Sequence, residues 1–133
     1  MAEYSNKIVD HFTTPRHVGE LSPCDVEAFV GNPVCGDQIH LYARVNDGCI
    51  EECSFLAYGC AASLATASIL CDEVRGLTLD RLLQIQESDV VAMVGGLTPT
   101  QKHCATIACD VLRNLVAKYR GEIPTESGDP HCR

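Results

Sequence analysis

From Gln38 to Asn46 apolar and polar residues alternate. Ile39, Leu41, Ala43 and Val45 fall on one side; Gln38, His40, Tyr42 and Arg44 fall on the other. A period of two predicts a half-buried strand. Asn46-Asp47-Gly48 follows, and Asp-Gly supplies the positive φ angles of a tight hairpin turn. A second strand is predicted from Cys49 to Tyr58, with Cys53, Phe55 and Ala57 on one face. Val26 to Val30 is read as a short third strand.

Elsewhere the period lengthens. Tyr4, Ile8 and Phe12 recur at helical spacing within Glu3 to Phe12, and Thr13-Thr14-Pro15 ends that run. Arg16 to Asp25 reads as a loop. Ala61 to Val74 is a helix of small residues closed by Gly76. Two shorter helices are predicted at Leu77 to Leu83 and Glu87 to Val94, with Thr78 and Ser88 as N-caps. Gly95-Gly96-Leu97-Thr98-Pro99 is a loop. Lys102 to Tyr119 is a long final helix whose core face is Ala105, Ile107, Ala108, Val111, Leu112, Leu115 and Val116. The expected fold is α+β: a small antiparallel sheet of about three strands with helices packed on one face. Residues 1–120 are expected to form one domain. Gly121 to Arg133 is expected to be a disordered polar tail.

The 133 residues suit one domain with a real core. No segment approaches the roughly 20 apolar residues of a membrane span, so no membrane association is expected. The stretch Met1-Ala-Glu-Tyr-Ser-Asn-Lys is polar with no apolar run behind it. No signal peptide is therefore expected, and a cytoplasmic location follows. The formal net charge of -8 argues against nucleic acid, because phosphate binding needs clustered Lys and Arg. Nine cysteines in a reducing compartment point to metal ligands, reactive thiols or core residues before disulfides.

Position singles out three of the nine. Cys35 lies in the turn before the alternating strand, with Asp37 two residues on. Cys60 sits where a strand ends and a helix begins. Cys104 opens the last helix, directly after His103. A thiol at a helix N-terminus is expected to ionise more easily, and neighbouring Lys102 acts in the same direction. Antiparallel pairing brings the start of the first hairpin strand beside the end of the second, so the Cys35-Gly-Asp37 turn meets Cys60. A last helix starting near the same edge adds His103 and Cys104. The candidate site is then Cys35, Asp37, Cys60, His103 and Cys104.

The other six cysteines carry less. Cys53, Cys71 and Cys109 fall among apolar residues and read as small buried hydrophobes. No role is assigned to Cys24, Cys49 or Cys132. His11, His17 and His40 read as surface residues, and His131 lies in the tail.

Cys35-Gly-Asp37, Tyr58-Gly-Cys60-Ala-Ala-Ser and Lys102-His103-Cys104 resemble the three signature segments of the U-type iron–sulfur cluster scaffolds, the IscU family and the N-terminal domain of NifU. "YSNKIVDHFTTPRHVGE" is similar to that family's N-terminal helix and loop, and "VNDGCIEECSFLAYGC" to its hairpin. The resemblance runs from Tyr4 to about Tyr119. It implies a non-enzymatic scaffold. Such a protein assembles a cluster from Fe2+ and from persulfide sulfur delivered by a cysteine desulfurase, then passes it to apo-proteins. It implies Cys35, Cys60 and Cys104 as cluster ligands, with Asp37 or His103 completing the set, and Cys104 as persulfide acceptor. A [2Fe–2S] cluster is expected first and a [4Fe–4S] cluster remains open. Four cysteines hold such a cluster most firmly, and a carboxylate is a harder, poorer match for a thiolate-type iron site. Asp37 is therefore expected to keep the cluster labile. The same ligands fit tetrahedral Zn2+.

The resemblance has gaps. The family's Leu-Pro-Pro-Val-Lys segment for a dedicated Hsp70-type chaperone is here Leu97-Thr98-Pro99-Thr100-Gln101, so weak or no chaperone binding is expected. The chain stops soon after its last helix, so a stand-alone scaffold is expected. A homodimer stays open. The rival reading is a zinc-dependent sulfurtransferase of the SufU kind. That group typically carries an insertion before the last helices and lacks the histidine of the His-Cys pair; this chain has His103 and no evident insertion. A purely structural zinc domain ranks behind both, because such sites usually have four closed Cys/His ligands.

Overall fold

The computed structural model describes residues 4–31 and 36–121. Its elements follow the order α1 (Asn6–Thr13), β1 (Val26–Gly31), β2 (Gln38–Asn46), β3 (Cys49–Tyr58), α2 (Ala61–Val74), α3 (Leu79–Gln84), α4 (Glu87–Met93) and α5 (His103–Tyr119). The strands form one antiparallel sheet in the order β1-β2-β3. The β2–β3 hairpin turns on Asp47 and Gly48, both at positive φ (55° and 73°), as Asp-Gly dictates. A register shift between Arg44 and Val45 lets Val45 face Ile50.

The expected inward residues are inward. Ile39, Leu41, Ala43, Cys53 and Phe55 are buried in one core with Val26 and Ala28 of β1. Against them lie Ala67, Leu70, Cys71 and Val74 of α2, and the predicted stripe of α5 from Ala105 to Val116. Helix α5 rests on β1 and β2, while α2 rests on β3. Small residues on α2 let it approach the sheet closely. Among the described residues no helix is long and apolar enough to cross a membrane.

Four expectations change. Helix α1 starts after Ser5, whose Oγ accepts the Ile8 N–H, and it packs on α2. Its inward residues are Ile8 and His11, and Phe12 stays 47% exposed. A helix lying on one other helix buries a narrow stripe, so the Tyr4–Ile8–Phe12 face does not close. Helix α4 is capped by Gln86, whose backbone N–H binds the Asp89 carboxylate at 2.9 Å, so Ser88 falls inside the first turn. Thr78 does cap α3. Residues 99–101 form a single 3-10 turn, closed by Gln101 Oε1 accepting the Thr98 N–H at 3.2 Å. The tail reading from Gly121 lies, beyond Gly121 itself, outside the described residues.

The histidines are the fourth. His11 is buried, with Nδ1 2.7 Å from Ser68 Oγ, and Ser68 also holds the Arg16 backbone. His17 pairs with Asp72 at 2.7 Å. His40 pairs with Glu27, stacks on Tyr42 and meets Phe29 edge-on. None is an idle surface residue. His17 helps bring the loop after α1 along β3, where the Phe55 N–H donates to His17 O and the Gly19 N–H to Phe55 O. That loop covers part of a strand edge that would otherwise stand open.

Candidate functional site

The hairpin register builds the site. Gln38 pairs with Tyr58, so Asp37 and Gly59-Cys60 emerge side by side from one end of the sheet. Cys60 then becomes the N-cap residue of α2, and His103 and Cys104 are the first residues of α5. Both helices start at that end. The metal-binding atoms of Asp37, Cys60, His103 and Cys104 all lie within 4.8 Å of one another. In a tetrahedral site with bonds of about 2.0–2.3 Å, ligand atoms stand about 3.3–3.8 Å apart, so modest contraction suffices. Cys35, the fifth expected residue, lies outside the described residues.

Asp37 is at the centre and is buried. Its Oδ1 accepts the Cys60 N–H at 3.2 Å, and its Oδ2 accepts the Ser63 hydroxyl at 2.8 Å and bonds to His103 Nε2. Burial pushes this carboxyl up, but the Ser63, His103 and Cys60 donors outweigh it and hold the pKa below the usual 3.8. A buried carboxylate is thus kept ionised by three hydrogen bonds.

The thiols differ. Cys60 is exposed, with Sγ 3.8 Å from Asp37 Oδ2 and 3.7 Å from Ser63 Oγ. Cys104 is buried, with Sγ 3.4 Å from Ser63 Oγ and 3.8 Å from His103 Nε2. Burial, reinforced by neighbouring Cys60 and Asp37, pushes the Cys104 thiol up to about 12 against the lowering bond from Ser63. This corrects the expectation that a helix start would ease its ionisation. Burial outweighs the lowering contact here, and Lys102 is exposed. A cation arriving at the site would reverse the balance, since metal binding displaces the thiol proton.

The sequence profile of the NifU-like N-terminal domain family matches residues 3–126. The chain belongs to this family. An iron–sulfur cluster assembly scaffold protein, IscU 1 of Archaeoglobus fulgidus, is 40% identical over 116 residues, covering 87% of this chain and 76% of that one. The IscU scaffold protein of Escherichia coli K12 is 35% identical over 123 residues, covering 90% and 95%. The crystal structure of the N-terminal part of a NifU-like protein from Brucella abortus superposes with a TM-score of 0.73 at 16% identity, covering 91% of this chain and 96% of that one. The fold is thus that of NifU-like domains.

Four of the five expected site residues converge. Two further residues shape the site and had no assigned role. Ser63 touches Asp37, Cys60 and Cys104 at once. Its spacing from Cys60, three residues along a helix, puts both on one face and was the available signal. Gly59 has φ 139°, and a Cβ there would fall 2.1 Å from Asp37 Oδ1. A glycine just before the strand-end cysteine was the second signal. Cys53, Cys71 and Cys109 are buried in the core, as expected.

Proposed function

We propose that this protein is a U-type scaffold, on which an iron–sulfur cluster is assembled from Fe2+ and desulfurase-derived persulfide sulfur and then handed to apo-proteins. The observation that carries the reading is the convergence of Asp37, Cys60, His103 and Cys104 at one sheet end, in a chain 40% identical to a protein named as such a scaffold. Cys35, Cys60 and Cys104 supply thiolates to the cargo, and Asp37 or His103 the fourth ligand. A [2Fe–2S] cluster is the first product and a [4Fe–4S] cluster a later one.

A mixed ligand set suits a carrier. Thiolates capture iron, whereas a carboxylate is a hard ligand and lets go more readily. Three hydrogen bonds keep Asp37 in that role. Cys104 is the persulfide acceptor, and Cys60 is the exposed thiol beside it. Zn2+ fits the same two sulfurs, one nitrogen and one oxygen, so zinc is a competitor for the site. The protein works in a reducing, cytoplasmic setting with a cysteine desulfurase and apo-acceptors as partners. A dedicated Hsp70-type chaperone binds weakly or not at all, because Leu97-Thr98-Pro99-Thr100-Gln101 departs from the segment such a partner would read. Two copies forming a homodimer would bring two such sites within one assembly.

The test is anaerobic reconstitution with ferrous iron, cysteine and a cysteine desulfurase, followed by visible and Mössbauer spectra and addition of an apo-ferredoxin. A cluster that forms and leaves for the acceptor supports the scaffold. If no cluster forms, while zinc stays bound and sulfur still moves onto the protein, the chain is a sulfurtransferase instead.

A further inference from the structure

The geometry points to Ser63 as the positioning residue of this site, the group that keeps Asp37 in place while the ligands around it rearrange. Ser63 is buried in the first turn of α2. Its hydroxyl lies beneath the ligand atoms, 2.8 Å from Asp37 Oδ2, 3.4 Å from Cys104 Sγ and 3.7 Å from Cys60 Sγ. A hydroxyl has one proton to give and two lone pairs to receive. The short contact assigns the proton to Asp37; the two sulfurs then stand on its accepting side.

The need for such a group follows from His103. His103 Nε2 is bonded to Asp37 Oδ2. An imidazole nitrogen that takes a metal gives up its hydrogen bond, because the same lone pair or proton position serves both. When iron or zinc takes His103 through Nε2, the nitrogen that faces the Cys104 sulfur, Asp37 loses that donor. The Cys60 N–H holds Oδ1, and the weak 3.8 Å contact from the Cys60 thiol to Oδ2 ends when that thiol gives its proton up to a metal, which leaves Ser63 as the described donor on Oδ2. Ser63 therefore fixes the carboxylate's rotation at the step when the ligands are exchanged. This holds whether Asp37 takes the ion itself or stays beside it. It rests on the site reading above, but not on what cargo the site carries.

The experiment is a double-mutant cycle on Zn2+ affinity, measured with a chromophoric chelator on the full chain, using Ser63→Ala, Asp37→Ala and the pair. Groups that orient metal ligands typically contribute 10- to 100-fold in affinity, so Ser63→Ala is expected to weaken Zn2+ binding by roughly that factor. In the Asp37→Ala background the same change is expected to alter affinity by no more than about 2-fold, since the group it holds is gone. Two readouts separate positioning from plain structure. The Cys60 amide resonance of the metal-free protein should shift in Ser63→Ala, as the carboxylate it donates to turns. The visible bands of the Co2+-loaded protein should move, whereas a merely structural loss would lower the thermal midpoint and leave those bands in place.

Wild-type affinity in Ser63→Ala would overturn the inference. So would a loss that persists in full without Asp37, which would mean that Ser63 acts on the thiols. A wild-type chain that binds no Zn2+ overturns it too. A chain that binds Zn2+ with this coupling, yet neither builds nor transfers a cluster, defeats the scaffold reading and leaves the role of Ser63 standing.

Discussion

Gly59 and Asp37 occupy what would be overlapping space if Gly59 were any other residue. A Cβ on Gly59 would lie 2.1 Å from Asp37 Oδ1 and 2.7 Å from its Cγ. The backbone there is at φ 139°, which L side chains rarely adopt. Gly59→Ala should therefore do two things. It should destabilise the protein by at least about 1 kcal/mol through backbone strain. It should also expel the Asp37 carboxylate from its three hydrogen bonds. The expected outcome is a lower thermal midpoint together with Zn2+ affinity close to that of Asp37→Ala. A variant with normal metal binding would mean that the strand end shifts to make room.

Asp37 offers a hard oxygen among sulfurs, and a carrier must release what it holds. Asp37→Ala should keep its cluster longer than the wild type. The measurement is the rate of cluster transfer from loaded protein to apo-ferredoxin. Slower transfer is expected. Faster loss would mean that the carboxylate strengthens the site. Because Ser63 acts through Asp37, Ser63→Ala should change the transfer rate in the same direction, and by less.

The thiols should separate by reactivity. Cys60 is exposed, whereas Cys53, Cys71, Cys104 and Cys109 are buried. Burial pushes Cys104 up to about 12 and Cys109 up to about 11, and it pushes Cys71 well above 9.0. A thiol at about 12 is ionised to roughly one part in 10⁴ at about pH 8, and only the thiolate attacks. Limited alkylation of metal-free native protein, read by peptide mapping, should mark Cys60 well before these three. Early labelling of Cys104 would show that the start of α5 opens readily.

Much of this was legible in the pattern of the chain. The alternation around Leu41 fixed which face of β2 is inward, and the Asp47-Gly48 turn fixed the register to within the one-residue shift at Arg44/Val45, which no pattern announced. From register alone, Asp37 had to meet Cys60. The stripe from Ala105 to Val116 placed α5 on the sheet, but which end its first residues reach came only with the packing. What stayed hidden depends on depth, which periodicity does not carry. Cys104 looked like an activated thiol because helix starts favour anions, yet desolvation has the larger effect. His11 and His40 looked like surface residues because their partners, Ser68 and Glu27, lie 57 and 13 residues away in the chain. Ser63 was visible as part of a motif, but its triple contact exists only once α2 and α5 start side by side.

His11 gives the fold a pH dependence of calculable sign. It is buried, and burial first, then the Arg16 charge, lowers its pKa from the usual 6.5. The folded chain thus holds His11 neutral at pH values where the unfolded chain has begun to protonate it. The unfolded state binds more protons there, so stability rises with pH. The contribution is fully present above 6.5 and is lost as pH falls through the lower, folded value. His11→Gln has no such group. Its urea midpoint should fall less than that of the wild type between about pH 8 and about pH 5. At high pH the variant should be the weaker of the two, because the 2.7 Å contact with Ser68 that steadies the Arg16 backbone is disturbed. Parallel pH curves for the two proteins would show that His11 protonates in the folded chain without cost, and that α1 lifts from α2 more readily than its packing implies.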